Sequence, residues 1–198
     1  MRRKFKYCLK RCQVKMAWQP NNSYNMSRVK PLDETNLNIF QINWKSKTLC
    51  RLYHNGDVTY RTFRRVYIMN RRNMEDTLGA MERRLDNIMF RSMFAPSVFY
   101  GRRMVSSGKV LVNGEKVRKP SHQVSDGDIV QVVPYFVEKS QGFTKNPFFK
   151  LWAFIPPYLE VNHNIQSVCF LRKPQYKEIP TPYPKRMVDN MAAFFRRR

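Results

Sequence analysis

From Glu75 to Met93 the apolar residues Leu78, Met81, Leu85, Ile88 and Met89 recur at steps of three and four, which predicts one amphipathic helix. On another face of that helix Arg83, Asn87 and Arg91 stack four apart, with Arg84 beside them. Its acids, Glu75, Asp76 and Glu82, lie early and its arginines late, as the helix dipole favours. Pro96 ends the pattern near Phe94, and Ser97 is suited to cap a further helix over 97–107. There Val98, Gly101, Met104 and Val105 face inward, Arg102 and Arg103 point elsewhere, and Gly108 closes the helix. Then comes a change of period. Lys109 to Val112 and Glu115 to Val117 flank Asn113-Gly114, a tight-hairpin signal. Asp126-Gly127 marks a second turn before the strand-like Ile129, Val130, Val132 and Val133.

Upstream, Tyr60, Phe63 and Tyr67 share one face of a helix predicted over 60–69, with Arg61, Arg64 and Arg65 turned away. A helix is compatible with 43–53, stopped by Asn55-Gly56. Residues 1–40 are basic, rich in Asn and aperiodic, and read as an extended arm. Beyond Pro134, Pro147, Pro156, Pro157, Pro174, Pro180, Pro182 and Pro184 break any long helix. Residues 135–198 therefore read as a basic, Pro-rich extension laid along a partner, in which Ser167 to Leu171 can pair locally. The expected organisation is an α+β chain. A basic arm (1–40) leads to a short helical part (41–78), a unit of two helices and a small antiparallel sheet (79–134), and the extension.

Charge narrows the class of partner. Lys and Arg number 37 against 14 acids in 198 residues, for a formal net charge of +23. Such a chain calls for a polyanion. No acid precedes Asp33, and the chain ends in Arg196-Arg197-Arg198. Phe5, Tyr7, Trp18, Tyr24, Phe194 and Phe195 are interleaved with these terminal cations, a mixture that suits RNA, since cations meet phosphates while rings stack on unpaired bases. The acid-free N-terminus also fits a mitochondrial targeting segment, though no amphipathic stripe precedes Pro20. No apolar run approaches the roughly 18–20 residues of a membrane span. A membrane-surface protein would need a long amphipathic helix to spare, and the 75–93 helix already commits its apolar face to a core.

Cys8 and Cys12 form a C-x3-C pair that lacks the other half of a zinc knuckle. Cys50, Cys169, His54, His122 and His163 stand at no recognisable ligand spacing. The cysteines read as free thiols, with neither metal nor cofactor implied. No P-loop, Gly-x-Ser-x-Gly or His-Glu-x-x-His motif is present, so no enzyme chemistry is indicated.

Residues 83–128 resemble a known family. Arg83-Arg84-Leu85-Asp86-Asn87, Phe94-Ala95-Pro96-Ser97, Val105-Ser106 and Leu111-Val112-Asn113-Gly114 follow in the order seen in the S-four family of small-subunit ribosomal proteins. Lys116-Val117, Pro120-Ser121, Gln123-Val124 and Gly127-Asp128 continue the match. Phe63-Arg64-Arg65 is similar to the family's preceding helix, and Trp152 to Val161 is similar to mitochondrial forms. The resemblance implies an S-four-type RNA-binding domain that holds small-subunit ribosomal RNA early in assembly, near the place where messenger RNA enters. It also implies contact with ribosomal proteins three and five, the latter linked to decoding accuracy. Carried over by position, the RNA-facing residues are Arg83, Arg84, Arg91, Ser97, Arg102 and Lys109, to which we add Arg103, Arg64 and Arg65. Arg103 stands where the family commonly has glutamine, Val98 where it has arginine, and Ser107 and Lys109 where it has histidines. Val98 is thus expected to lose one phosphate contact.

The same domain occurs on enzymes and on free-standing RNA chaperones or assembly factors. Arg84-Leu85-Asp86 resembles the catalytic motif of pseudouridine synthases for three residues, but Asn87-Ile88-Met89-Phe90 departs from the Thr-Ser-Gly that follows it there. Asp86 is instead expected to be an ion-pair partner that orients Arg83 or another nearby arginine. The expected role is a non-catalytic constituent of the small ribosomal subunit, with a mitochondrial address.

Overall fold

The computed structural model describes residues 38–44, 58–95, 98–133, 155–179 and 185–196. Residues 39–44 are helical, and the remainder of the helix expected over 43–53 lies outside the described residues, as does the arm before residue 38.

Helix α1, Tyr60–Met69, starts where Thr59 Oγ1 accepts the amide of Thr62 at 3.2 Å. Its expected stripe is turned inward, with Phe63 and Tyr67 buried and Tyr60 packed against the same core. Helix α2, Met74–Glu82, is capped by Asn73, whose Oδ1 accepts the Glu75 amide at 3.0 Å. Glu75 and Asp76 in its first turn complement the dipole.

The single helix expected over 75–93 is two. Chain direction changes at Arg83-Arg84, and α3 runs Leu85–Arg91 after Arg84 adopts extended geometry (φ −69°, ψ 137°). The break is held by a segment from beyond the hairpin. Arg84 forms a β-bridge with Gln123. The amide of Leu85 donates to His122 O at 2.9 Å, and that of Val124 to Arg83 O at 3.0 Å. Steps of three and four continue unbroken across two non-helical residues, so periodicity hides this elbow.

Helix α4, Val98–Ser106, follows; Pro96 and the expected cap Ser97 lie outside the described residues. Val98, Gly101, Met104 and Val105 are buried as expected. Strands β1, Val110–Val112, and β2, Glu115–Lys116, form the predicted hairpin. Asn113 and Gly114 both take positive φ (50° and 85°), as a two-residue hairpin turn requires. Asn113 is tied down further, since its Oδ1 accepts the Ile129 amide and its Nδ2 donates to Asp128, each at 2.9 Å.

Beyond Pro134 the expectation of an extension laid along a partner is corrected. Strands β4, Leu159–Asn162, and β5, Ser167–Phe170, join β3, Ile129–Val132, in one antiparallel five-stranded sheet ordered β2-β1-β3-β5-β4. Val112, Val130 and Val168 lie in register across it and are buried against α3 and α4. The chain then returns over α2, where Lys173 pairs with Asp76. Helix α5, Lys185–Arg196, closes the helical part. Its Phe195 ring lies 5.5, 5.3 and 5.4 Å from those of Tyr60, Phe63 and Tyr67. Pro156, Pro157 and Pro174 lie in the connections between these elements, not inside them; Pro134, Pro147, Pro180, Pro182 and Pro184 lie outside the described residues. The fold is α+β, one helical and one helix-on-sheet cluster sharing the elbow.

The Tyr67 hydroxyl is buried in the helical cluster without a hydrogen-bond partner among the described residues. Tyr67→Phe is expected to raise stability by about 1 kcal/mol in chemical denaturation, because it removes a desolvated donor and keeps the ring. A loss of stability would show that the hydroxyl is bonded.

Candidate nucleic-acid interface

The arginines singled out by sequence divide into two groups. Three of them hold the elbow together. Arg83 donates from Nε to Val124 O at 2.9 Å and pairs with Asp126 at 3.2 Å, its guanidinium 5.7 Å from the Phe170 ring centre. Arg84 forks onto Asp86, at 3.0 Å from Nε to Oδ1 and 2.6 Å from Nη2 to Oδ2. Arg91 forks onto Glu82 at 2.8 and 3.0 Å. Glu82 Oε2 also accepts the Tyr158 hydroxyl at 3.1 Å, so α2, α3 and the start of β4 meet at one carboxylate.

Arg84 and Arg91 are only 6% and 3% exposed. Both were expected to face RNA, and both are enclosed. A continuous helix would have carried Arg83 and Arg91 outward together; the break at Arg83-Arg84 rotates that face into the protein. Burial pushes the Asp86 carboxyl up from its ordinary range, while its bonds to Arg84 and the nearby charge of Arg102 oppose the shift. Burial pushes Glu82 up as well, with Asp86 adding to the effect and the Tyr158 hydroxyl opposing it. The guanidinium fork on both oxygens of Glu82 holds it as an ion pair. Asp86, locked onto Arg84, also serves the orienting role expected of it.

The second group lies outward. On α4, Arg103 is exposed, Arg102 half-buried and Tyr100 41% exposed. No acid lies between Asp86 and Glu115. At the end of α4, Gly108 takes φ +70° and bends the chain into Lys109, which is half-buried. Lys116 Cε and Arg118 Nε come within 3.1 and 3.4 Å of where a Gly108 Cβ would stand. The hairpin thus folds two further cations over the end of α4, beside Lys109. Sequence reading missed this convergence: Lys116 entered only as part of a motif, and Arg118 not at all. The available signal was a glycine at a helix end followed by basic residues on the returning strand. Arg64 is half-buried and Arg65 exposed on α1, away from this cluster in the element order; Ser97 lies outside the described residues.

No group of three or more His, Cys, Asp or Glu capable of holding a metal occurs among the described residues, and Cys8, Cys12 and Cys50 lie outside them. Among the described residues no helix is long and apolar enough to cross a membrane.

Two helices stacked on an antiparallel sheet, with cations gathered where helix and hairpin meet, define an RNA-binding module. Residues 83–130 match the S4 domain family. The chain is 36% identical over 169 residues to small ribosomal subunit protein uS4 of a Ruegeria species, covering 80% of this chain and 77% of the relative. It is 33% identical over 162 residues to uS4 of Dinoroseobacter shibae, covering 77% and 73%. With uS4 of Paracoccus denitrificans it shares 33% over 168 residues, covering 80% and 77%. The chain belongs to the uS4 family of small ribosomal subunit proteins, and it is a structural RNA-binding protein rather than an enzyme.

The mitochondrial address expected from the sequence is overturned by these relatives, which are alphaproteobacterial and point to a bacterial ribosomal protein. An acid-free, Arg-rich N-terminus has the composition of an RNA-contacting arm as much as that of a targeting segment, so charge alone could not separate the two.

Proposed function

We propose that this protein is a structural constituent of the small ribosomal subunit and binds small-subunit ribosomal RNA through the outward cations of α4 and the hairpin. The observation that carries this reading is the placing of Lys116 and Arg118 over Gly108, next to Lys109, at the end of the helix that carries Arg102 and Arg103. The carboxylates of the elbow, meanwhile, are turned inward onto Arg84 and Arg91. Arg83 keeps partial exposure and can reach RNA at the margin while bonded to Asp126. Ser97, Arg64 and Arg65, together with the basic arm of residues 1–40, extend the footprint. Arginine suits this face because its planar fork bonds phosphate oxygens in pairs. Recognition rests on RNA shape, since the A-form major groove is too narrow to read. By family, the protein contributes to subunit assembly, neighbours ribosomal proteins three and five, and lies where messenger RNA enters, where it influences decoding accuracy.

A salt titration on transcribed bacterial small-subunit ribosomal RNA tests the reading. With about six to eight phosphates neutralised, log K is expected to fall by roughly 0.7–0.9 per phosphate for each log unit of salt. Arg102→Ala with Arg103→Ala should reduce that slope by about 1.5 and weaken binding while the fold is kept. A near-flat slope for the unaltered protein sinks the proposal, and unfolding of the double variant would show that these arginines face inward.

A further inference from the structure

Val112, Val130 and Val168 face the helices, so the strand register turns Ile129, Cys169 and Glu160 to the other side of the sheet, adjacent to one another on three strands. Ile129 is 45% exposed, as is Leu171, the next outward position after Cys169. The turn that follows β4 is tied by Asn162, whose Oδ1 accepts the Asn164 amide at 3.0 Å. Together they form a groove of about 610 Å³, lined among others by Ile129, Glu160, Asn162, Asn164, Ser167 and Cys169. Among the described residues its lining holds no lysine or arginine. His163 also lines it, and burial lowers its pKa, so the ring brings no positive charge at neutral pH.

Glu160 stands out in a chain of net charge +23. Asp76, Glu82, Asp86, Asp126 and Glu178 each pair with a cation of the protein itself. Glu160 is exposed, and among the described residues its carboxylate has neither a hydrogen bond nor an ion pair. Phosphate is repelled from a carboxylate with no cation beside it, so this groove does not suit RNA. A lysine or arginine suits it, because such a side chain lays its aliphatic stem on apolar surface and keeps its charge at the polar end.

We infer that the groove receives a basic segment of a neighbouring protein in the small subunit, with the stem of a lysine or arginine along Ile129 and Cys169 and its cation on Glu160. This rests on the proposed place in that subunit. It gives the sheet a protein-facing side, while α4 and the hairpin face RNA.

The test reconstitutes small subunits from transcribed bacterial small-subunit ribosomal RNA and purified Paracoccus denitrificans small-subunit proteins, with the full chain replacing the resident uS4. A benzophenone side chain is placed at Ile165, 62% exposed in the turn beside the groove, and its photo-adduct is mapped by mass spectrometry. The adduct is expected on a Lys- or Arg-rich segment of one other subunit protein. Alkylation of Cys169 by iodoacetamide should be at least about fivefold slower in the particle than in the free chain. Glu160→Lys should cut the adduct by about fivefold or more and return the thiol to its free rate, because like charges repel across the contact. Glu160→Gln should fall between the two. Thermal unfolding of both variants should match the parent, since the carboxylate holds nothing within the chain. An adduct on RNA or on this chain's own residues overturns the inference, as does no adduct or one indifferent to Glu160→Lys. Exclusion of the unaltered chain from the particle overturns the proposed function and the inference with it. Incorporation without a Glu160-dependent adduct overturns the inference alone.

Discussion

Arg91→Ala is expected to destabilise the protein by about 3–5 kcal/mol, far more than loss of a surface cation. Arg91 is 3% exposed and bonds both oxygens of Glu82, itself 2% exposed. Without the guanidinium, Glu82 is a buried carboxylate whose remaining side-chain partner is the Tyr158 hydroxyl. It must then take up a proton or draw water into the junction of α2, α3 and β4. Replacing both members together, Arg91→Met with Glu82→Leu, should recover most of the loss, because no charge is left stranded. Denaturant titration of the two single variants and the double one gives the comparison. A cost below about 1 kcal/mol for Arg91→Ala would mean that water already reaches the pair. The RNA measurement separates this role from phosphate binding. Where Arg91→Ala is still folded, its binding should keep the salt slope of the parent, because the side chain it lacks is buried and engaged on Glu82.

The three arginines of the elbow show where sequence reading stops. Local rules carried α1, because Tyr60, Phe63 and Tyr67 repeat at helical spacing and face one core. They also carried the hairpin, because Asn113-Gly114 is chemically suited to two positive φ values. Nothing local marks the break at Arg83-Arg84. Its cause is pairing with residues 122–124, some forty positions on, which a window of a dozen residues does not contain. Charge counting fails at the same point. Arginine is almost never fully buried unless paired, yet no pattern says which cations of a strongly basic chain will be the paired ones. The pairing of Arg91 depends on an elbow that brings together the last residues of two successive helices. Strand β4 was hidden for a related reason, and β5, read as strand-like over Ser167 to Leu171, was given only a local partner and not β3. Glu160 and Asn162 alternate with Leu159 and Val161, but a four-residue strand is too short a signal until a neighbouring strand exists to receive it. What remained legible of the proposed interface was its outward half, Arg102, Arg103 and Lys109, whose placement needs only the period of α4 and the glycine at its end.

Gly101→Val is expected to be the other large effect, about 3 kcal/mol or more, with loss of RNA binding. A side-chain carbon at Gly101 would stand 2.8 Å from the carbonyl oxygen of Asp86 and 3.2 Å from Met89 Cβ. The first contact is with backbone that cannot swing aside, for Asp86 opens α3 and its amide donates to Pro120 O at 3.2 Å. The helix must therefore move. Moving α4 away from α3 opens the cluster around Met89 and Val105, both fully buried, and carries Arg102 away from Asp86. It also shifts Arg103, which α4 carries, relative to the hairpin cations that lie over Gly108. Chemical denaturation should report the packing loss. RNA binding measured under conditions where the variant remains folded should fall at least as far as it does for Arg102→Ala with Arg103→Ala, since the cations of α4 are misplaced. Full binding by a folded Gly101→Val protein would show that the interface does not depend on how closely α4 sits against α3. The recognition surface would then be the arms, with the compact module only their anchor.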